Sequence, residues 1–345
     1  MQVFVNPLHG RHQGRHEMFR GRLVPCVEVP DRVEHVRAEL QRRGIGTLRA
    51  PAEPATDLLQ RVHDARYLQF LQSAWADWVA LDAANAAFDL LPSVWPAPGM
   101  RRDRVPQELS ARVGLFAFDA GSPITAGTWD AARAGAGCAV SAAQAVRGGE
   151  ACAFALTRPP GHHAGADFYG GYCFLNNSAL AAQALRDEGL ARVAILDVDY
   201  HHGNGTQSIF YERGDVLTVS LHGDPRTEYP FYLGHADERG AGAGTGFNLN
   251  LPLPRGIGFD AWRQALQQAL QAVADFGPGA CVVALGLDTF AGDPISGFGL
   301  RSADYLEVGA DLRALGLPTV FVFEGGYAVA ELGVNAVNVL EGFVR

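Results

Sequence analysis

The stretch AILDVDYHHGNGTQ, residues 194–207, passes without a break from an apolar strand to a cluster of polar side chains. The ionisable residues in it are Asp197, Asp199, His201 and His202. A buried strand seldom ends in two carboxylates and two imidazoles, because burying an ionised carboxylate is costly unless it is paired or bound to a metal. The stretch therefore predicts a strand whose carboxyl end faces a balancing charge.

Similar apolar runs recur along the chain and alternate with longer helical ones. The predicted strands are Val3–Val5, Ala153–Leu156, Val193–Asp197, Val216–Ser220, Cys281–Leu285 and Thr319–Phe323. The predicted helices are Arg32–Arg43, Ala65–Leu81, Thr128–Val146, Asn177–Arg186, Asp260–Phe276 and Ser302–Leu315, with Asp260 as the N-cap of the fifth. Strands rich in Val, Ile and Leu between such helices favour an α/β fold with a mostly parallel sheet flanked by helices on both faces.

Polar clusters follow five of the predicted strands, and ligands of such sheets bind at the carboxyl ends of the strands. The clusters are Arg158–His163, Asp197–His201, Ser220–Asp224, Gly286–Asp288 and Glu324–Tyr327. Chance could place one or two clusters in this way, whereas five predict a single shared site.

The chain of 345 residues is 48% hydrophobic, which is enough for a large core. It has no internal repeat and no linker that would divide it, so we expect one domain over residues 1–345. The segment at about residues 85–127 is rich in proline and has mixed charge without a sustained period. This predicts a long irregular loop, and loops of this length are usually functional or disordered.

The formal net charge of −9 argues against a nucleic-acid partner and is compatible with a cationic small substrate. The five cysteines have no CxxC spacing, which favours buried reduced thiols. The chain begins without an apolar leader and contains no run of about 18 apolar residues. We therefore expect a cytoplasmic protein with no membrane segment.

Asp199 and His201 are two residues apart at a strand end, so their side chains point to the same side. Asp288, in the segment ALGLDTFAGDP, is the best placed third donor. Two oxygens and one nitrogen with open positions suit a catalytic zinc or a similar divalent ion. The alternative is a buried network of ion pairs or hydrogen bonds.

Two further segments offer groups for acid–base chemistry. RPPGHHAG, residues 158–165, holds His162 and His163 in a turn stiffened by proline and glycine, where one imidazole near a metal could act as a general base. FEGGYAV places Tyr327 where its hydroxyl could donate to a developing oxyanion. The alternatives are a histidine pair on the surface and a tyrosine packed at a strand–loop junction.

Taken together, the motifs RPPGHHAG, GGYCFLNN, ILDVDYHHGNGTQ, TVSLHGDP, LGLDTFAGDP and EGGY occur in an order that resembles the zinc-dependent histone deacetylase family and its bacterial relatives. The resemblance runs from about residue 15 to the C-terminus and implies the single-domain arginase–deacetylase fold. The loop near 90–110 and the segments HEMFRGRLVP and YCFLNNSALAAQAL most resemble the acetylpolyamine amidohydrolases. These relatives remove acetyl groups from small polyamines such as acetylputrescine and acetylcadaverine.

The resemblance also implies roles for individual residues. The zinc ligands it implies are Asp199, His201 and Asp288, and the catalytic residues are His162, His163 and Tyr327. The structural cation it implies is potassium, held at Asp197, Asp199, His201, Ser220 and Leu221. The substrate-binding residues it implies are Glu17, Gly171, Tyr172 and Tyr229, with Asp197 and Asn204 supporting His162 and His163 respectively. His163 would then act as the general base, and His162 would stay charged.

The resemblance to the acetylpolyamine amidohydrolases is weaker at the residues expected to surround the entrance of the substrate tunnel. Two further acidic positions of the polyamine deacetylases correspond here to Ser110 and Gly121, with Asp119 nearby, and the long loop is basic at Arg101, Arg102 and Arg104. The same resemblance implies a homodimer in which this loop contacts the partner and narrows the entrance. Alternatives are a deacetylase of acetyl-lysine in proteins or peptides, a non-catalytic acyl-amine binder, and iron or cobalt in place of zinc.

Overall fold

A parallel sheet of eight strands forms the centre of the computed structural model, which describes all 345 residues. The strands of the chain are β1 (Gln2–Val5), β2 (His16–Phe19), β3 (Arg22–Pro25), β4 (Thr47–Arg49), β5 (Cys152–Leu156), β6 (Val193–Asp197), β7 (Val216–Gly223), β8 (Asn248–Leu253), β9 (Ala280–Leu285) and β10 (Thr319–Phe323). Their order in the sheet is β4-β1-β5-β10-β9-β6-β7-β8, and every neighbouring pair is parallel. The remaining two strands, β2 and β3, form a separate antiparallel hairpin.

Helices cover both faces of the sheet. They are α1 (Asp31–Arg43), α2 (Thr56–Val62), α3 (Ala65–Leu81), α4 (Leu109–Phe116), α5 (Thr128–Arg147), α6 (Asn177–Asp187), α7 (Asn204–Phe210), α8 (Phe259–Phe276), α9 (Asp304–Arg313) and α10 (Val329–Val344). Along β6, Val193 and Ile195 pack into one hydrophobic cluster with α3, α5 and α6. Ala194 and Leu196 point the other way, into a cluster with α1, α8, α9 and α10. The two-residue alternation of strand side chains thus produces a three-layer α/β fold, as the sequence predicted.

All six predicted strands and all six predicted helices are present. The sequence did not predict the edge strands β4 and β8, the β2–β3 hairpin, or the helices α2, α7 and α10. Two expectations were wrong. The segment at 85–127 is not irregular throughout, because it contains α4, whose first turn is capped by the carboxylate of Glu108. The cap of α8 is Gly258, and Asp260 lies inside its first turn.

Two features position the site. The carboxyl ends of β5, β6, β7, β9 and β10 lie side by side, so the polar clusters that follow them come together. The β2–β3 hairpin turns through Arg20 and Gly21, both with positive φ (49° and 77°), as a two-residue hairpin requires. The hairpin carries Glu17 to the rim of the same edge. No helix combines the length and the apolar character that crossing a membrane would need.

Candidate active site

Asp199, His201 and Asp288 converge at the carboxyl edge of the sheet. Each offers a ligand atom, these atoms lie within 4.8 Å of one another, and all three residues are buried. His201 Nδ1 is 2.8 Å from Asp288 Oδ2 and 3.4 Å from Asp199 Oδ1. One imidazole nitrogen therefore faces two carboxylates that need a positive charge between them.

The backbone around this cluster leaves room for a metal ion. Backbone N–H groups already bind the outer carboxylate oxygens: Gly325 N donates to Asp199 Oδ2 at 2.8 Å, and Tyr200 N donates to Asp288 Oδ1 at 2.7 Å. A Cβ at Gly325 would lie 2.5 Å from the Asp199 carboxylate and 2.7 Å from that of Asp288. The donor set and the space beside it fit a divalent cation with open coordination positions.

His162 lies behind the cluster and is paired with a carboxylate. Its Nδ1 is 2.9 Å from Asp197 Oδ2, and its Nε2 is 3.8 Å from Asp199 Oδ2. Burial lowers the pKa of His162, but the two aspartates outweigh this effect and raise it to about 10. His162 is therefore a buried cation at neutral pH. It does not line the cavity that leads from the surface to this cluster, which is called the tunnel from here on.

His163 packs against His162, with 4.0 Å between the ring centroids, and faces the tunnel. Its Nδ1 is 2.7 Å from Asn204 Oδ1, so Nδ1 carries the proton and Nε2 is left free. Burial and the positive charges of His162 and His201 hold the pKa of His163 well below its ordinary value. The two adjacent histidines thus differ in charge, one cationic and the other neutral.

Tyr327 closes the same end of the tunnel from the β10 side. Arg32 lies 4.8 Å above its ring and donates to the carbonyl of Gly326 at 2.7 Å. Asp293 Oδ2 accepts a 2.7 Å hydrogen bond from Tyr327 N. Burial raises the pKa of Tyr327 well above its ordinary value, so its hydroxyl stays a donor.

Glu324 is fully buried and fixes the turn that carries the two histidines. Its Oε2 accepts from the backbone N–H groups of Gly161 (2.6 Å) and His162 (3.1 Å). Its Oε1 accepts from the hydroxyl of Ser178 at 2.9 Å. The carboxylate thus ties the end of β10 to the loop after β5.

A tunnel of about 270 Å³ leads from the surface to this cluster. Its lining includes Glu17, Gly171, Tyr172, Tyr229, His163, His201 and Tyr327. Tyr172 meets Tyr327 edge to face at 5.5 Å, and Tyr229 meets His163 edge to face at 5.1 Å. Every substrate-binding residue predicted from the sequence therefore lies on the tunnel wall.

Glu17 is held at the tunnel by a hydrogen bond from Tyr172. The hydroxyl of Tyr172 donates to its Oε1 at 3.1 Å, whereas its buried Oε2 has no partner. Burial raises the pKa of Glu17 to about 7, although the bond from Tyr172 favours the charged form. This carboxylate has one free acceptor oxygen next to the tunnel.

Asp119 joins two sides of the tunnel. Its Oδ2 accepts from the hydroxyl of Tyr229 at 2.7 Å and from the backbone N–H of Gly171 at 2.9 Å. Three residues on, Ser122 Oγ accepts from the backbone N–H of Tyr172 at 2.7 Å. The segment 119–122 therefore supports three of the four predicted wall residues.

The other residues at which the family resemblance is weak differ in whether they line the tunnel. Gly121 lines the tunnel, whereas Ser110 lies in the first turn of α4 and bonds to Glu108. Arg101, Arg102 and Arg104 are exposed and do not line the tunnel. Of the two positions at which polyamine deacetylases were expected to carry acids, one is near the tunnel and neither is charged.

A much smaller cavity of about 10 Å³ lies on the other side of the strand end, beside Asp197 and Ser220. These two residues are partners in the β6–β7 register. The cavity has space for about one water-sized particle. Leu221, Asp199 and His201, the other predicted ligands of a structural cation, do not line it.

Comparison with known proteins agrees with this arrangement. A model of the histone deacetylase domain matches residues 26–343. The chain belongs to the histone deacetylase family. Acetylpolyamine amidohydrolase 2 of Pseudomonas aeruginosa is 51% identical over 335 residues, which cover 97% of this chain and 96% of that protein. Acetylpolyamine amidohydrolase of Mycoplana ramosa is 45% identical over 344 residues, or 99% of each chain.

Solved structures of the histone deacetylase family share the fold. A crystal structure of acetylpolyamine aminohydrolase from Burkholderia pseudomallei superposes with a TM-score of 0.94 at 40% identity, covering 99% of this chain and 98% of that one. The expected arginase–deacetylase fold and the expected family are confirmed.

Sequence reasoning missed the residues that hold this family's site in place. Glu324 stood in a recognised cluster but was given no role, and Asp119 was considered only as a charge at the mouth. Arg32 and Asp293 were not singled out. A carboxylate next to the glycine pair of EGGY was the available signal for Glu324, whereas nothing local marks Arg32, which reaches Tyr327 from α1.

Proposed function

We propose that the protein is a zinc-dependent amidohydrolase that removes acetyl groups from small cationic amides, with acetylated polyamines of the acetylputrescine type as substrates. The observation that carries this proposal is a tunnel of about 270 Å³ that has a metal-type donor set, a neutral histidine and a tyrosine at its inner end. Its wall carries a half-satisfied carboxylate. The names of the relatives, which cover nearly the whole chain, support the same substrate class.

In this mechanism Asp199, His201 and Asp288 hold the metal, which when bound polarises the amide carbonyl and acidifies a water molecule. His163 Nε2 accepts the proton of the attacking water as its oxygen bonds to the carbonyl carbon, and later gives a proton to the leaving amine as the C–N bond breaks. Asn204 keeps His163 in the tautomer that this requires. The acetyl group leaves as acetate.

Two other groups act on developing charge. Tyr327 donates its hydroxyl hydrogen to the oxyanion, a contribution of about 100- to 1000-fold in rate for such a donor. His162 contributes a fixed positive charge from behind His163, because Asp199 and Asp197 raise its pKa. Asp293 and Arg32 act through Tyr327 as positioning residues.

Glu17 selects the substrate by charge. Its Oε2 has no partner within the chain, and an ammonium group of the substrate would supply one. Asp119 is less suited to this role, because its Oδ2 is already bonded to Tyr229 and Gly171. Because Glu17 is the carboxylate of the tunnel with a buried unpaired oxygen, we expect a linear amide with one distant positive charge.

We also propose a potassium ion near Asp197 and Ser220, a cytoplasmic location and a homodimer. Support for the potassium site is the small polar cavity beside these two residues. Support for the dimer is a group of exposed apolar side chains on the long loop: Phe88, Val94, Trp95, Met100 and Val105. Sedimentation of the parent chain and of Met100→Asp tests the dimer, with a shift toward monomer expected for the variant.

The deciding experiment compares the zinc-loaded chain on acetylputrescine and on a peptide that contains acetyl-lysine. We expect a higher kcat/KM for acetylputrescine and almost no turnover of the peptide, since the tunnel has a volume of only about 270 Å³ and Glu17 on its wall suits a small cationic substrate. Faster peptide turnover would instead assign a lysine deacetylase. Hydroxamate binding without turnover of either substrate would assign an acyl-amine binder.

A further inference from the structure

Glu228 is a carboxylate of the tunnel wall whose charge is balanced within the chain. Its Oε2 lies 3.0 Å from Arg255 Nη1. The side chain of Glu228 is 10% exposed and that of Arg255 is 56% exposed, so the ion pair reaches from the tunnel wall to the surface. Glu17, in contrast, has a buried oxygen without a partner. The two glutamates of the tunnel therefore differ in whether a cation of the chain is bound to them.

Glu228 is fixed in position by its packing at Gly223. A Cβ at Gly223 would lie 2.8 Å from Glu228 Cγ and 2.9 Å from Tyr200 Cζ, so these two side chains pack side by side over the glycine. The backbone N–H of Glu228 also donates to the carbonyl of Asp224 at 2.9 Å. None of these contacts involves Arg255, so we expect the carboxylate to stay at the tunnel wall when Arg255 is replaced.

Arg255 is also fixed in position, although more than half of its side chain is exposed. Its Nη2 donates to the carbonyl of Ser296 at 3.0 Å. Its side chain passes over Gly297, where a Cβ would lie 2.6 Å from Arg255 Cγ and 2.8 Å from Arg255 Cζ. The backbone N–H of Gly256 donates to the carbonyl of Gly297 at 2.7 Å and joins the two segments. An arginine held in this way loses little additional side-chain entropy when it forms its ion pair.

The ion pair affects how many ammonium groups the tunnel can bind. An ammonium group of a substrate at Glu228 would have to displace the guanidinium of Arg255 or lie next to it, and neighbouring like charges repel each other. Unfavourable contacts of this kind are a general means of rejecting a competing ligand. Glu17 has no such partner, so it is free to bind one ammonium group.

We propose that Arg255 is a specificity-determining residue, which restricts the tunnel to amides with one ammonium group by neutralising Glu228. This inference rests on the proposed function, because it concerns the substrate of the same site. Arg255 does not line the tunnel, so it acts through Glu228. An amide with a second, more distant ammonium group is a poor substrate of the parent chain and becomes a better one when the charge of Arg255 is removed.

The test compares acetylputrescine with spermidine acetylated at its aminobutyl end. The second amide has the same first ammonium position and continues through an aminopropyl chain to a second ammonium group. The readout is the ratio of kcat/KM for the longer amide to that for acetylputrescine. We expect Arg255→Gln to raise this ratio about tenfold, which corresponds to about 1.4 kcal/mol. An equal ratio in the parent chain and in Arg255→Gln would overturn the proposal.

Three further variants separate the charge of Arg255 from its packing. Arg255→Lys keeps the positive charge, so its ratio should stay within about threefold of the parent ratio. In the double variant Arg255→Gln/Glu228→Gln the gain should be lost, and a gain that persists would overturn the proposal because another group would then bind the second ammonium group. Arg226→Gln is the matched control, since Arg226 is an exposed arginine paired with Asp224, which does not line the tunnel. Its ratio should equal that of the parent chain.

The same preference can be measured without turnover. Chains that also carry Tyr327→Phe are titrated with the two amides in a calorimeter, and the ratio of the dissociation constants replaces the ratio of kcat/KM. If the parent chain hydrolyses neither amide, the proposed function is wrong, whereas the titration still tests the role of Arg255.

Discussion

At the scale of single residues, two of the three tyrosines of the tunnel, Tyr327 and Tyr172, separate chemistry from binding. Tyr327→Phe keeps the ring under Arg32 and removes only the hydroxyl, so we expect kcat to fall about 100- to 1000-fold with little change in KM. Tyr172→Phe removes the hydroxyl that holds Glu17, so the loss should appear mainly in KM. Steady-state kinetics on acetylputrescine measures both. Retention of more than about a tenth of kcat by Tyr327→Phe would contradict the role of its hydroxyl.

The carboxylate of Glu17 predicts that the preference for a cationic substrate depends on pH. Burial raises its pKa to about 7, so it is neutral below that pH and charged above it. The preference for a cationic substrate should therefore be present above about pH 7 and be lost as the pH falls through it.

The measurement is the ratio of kcat/KM for acetylputrescine to that for uncharged N-butylacetamide, followed across neutral pH. The pH effects of groups that act on both substrates alike, such as His163, cancel in this ratio. Glu17→Gln should abolish the pH dependence of the ratio. If the variant keeps it, another group recognises the ammonium.

At the scale of elements, the segment 119–122 holds the tunnel wall. Asp119→Ala would leave the N–H of Gly171 and the hydroxyl of Tyr229 without an acceptor, which costs about 1–3 kcal/mol per buried group. We expect a lower free energy of unfolding and a higher KM, with a smaller effect for Tyr229→Phe, which removes one bond of the two. Denaturant unfolding and kinetics measure these changes.

A control for this prediction lies in the same part of the chain. Asp103 is exposed and pairs only with exposed arginines, so Asp103→Ala should change stability by less than about 1 kcal/mol. Equal effects of Asp119→Ala and Asp103→Ala would show that the wall does not depend on Asp119.

The central elements were predictable, because their hydrophobic periods are strong and polar clusters follow them directly. The edge strand β8 was missed since Asn248 and Asn250 make it polar, and both asparagines bond to Gln207 and the loop near Glu238. The helix α10 (Val329–Val344) was missed because it is mostly apolar, although polar residues recur in it at helical spacing: Glu331, Asn335, Asn338 and Glu341. It is buried between α1 and α9, and Asn335 and Asn338 are buried with it.

The residues of the candidate site likewise fall into those that the sequence predicted and those that it did not. Asp199, His201 and Asp288 were predictable from strand geometry and family resemblance. The contacts of Glu324 and Asp119 were not, because they join residues far apart in sequence: Glu324 to Gly161, and Asp119 to Tyr229. Only the folded chain brings such pairs together.

At the scale of the whole molecule, the metal should contribute to stability as well as to turnover. Asp199 and Asp288 are buried, and a cation bound only by the folded chain stabilises it by about 4 kcal/mol at a thousand times its Kd. We expect a chelator to abolish activity and to lower Tm, and added zinc or cobalt to restore both.

Asp288→Asn provides the control for this prediction. This variant keeps a side chain of similar shape but is a poorer ligand, so its Tm should respond weakly to the chelator. A parent chain whose Tm and activity are both unaffected by the chelator would rule out the metal centre.

The strand order also bears on how the chain is made. Strands β4, β1 and β5 form one half of the sheet and β6, β7 and β8 the other, and only β9 and β10 join them. Of the ten strands these two come last in the sequence, and Asp288 follows β9 and Tyr327 follows β10. A chain that ends before β9 therefore lacks the two strands that join the halves of the sheet, and it also lacks Asp288 and Tyr327. We expect such a truncated chain to be inactive.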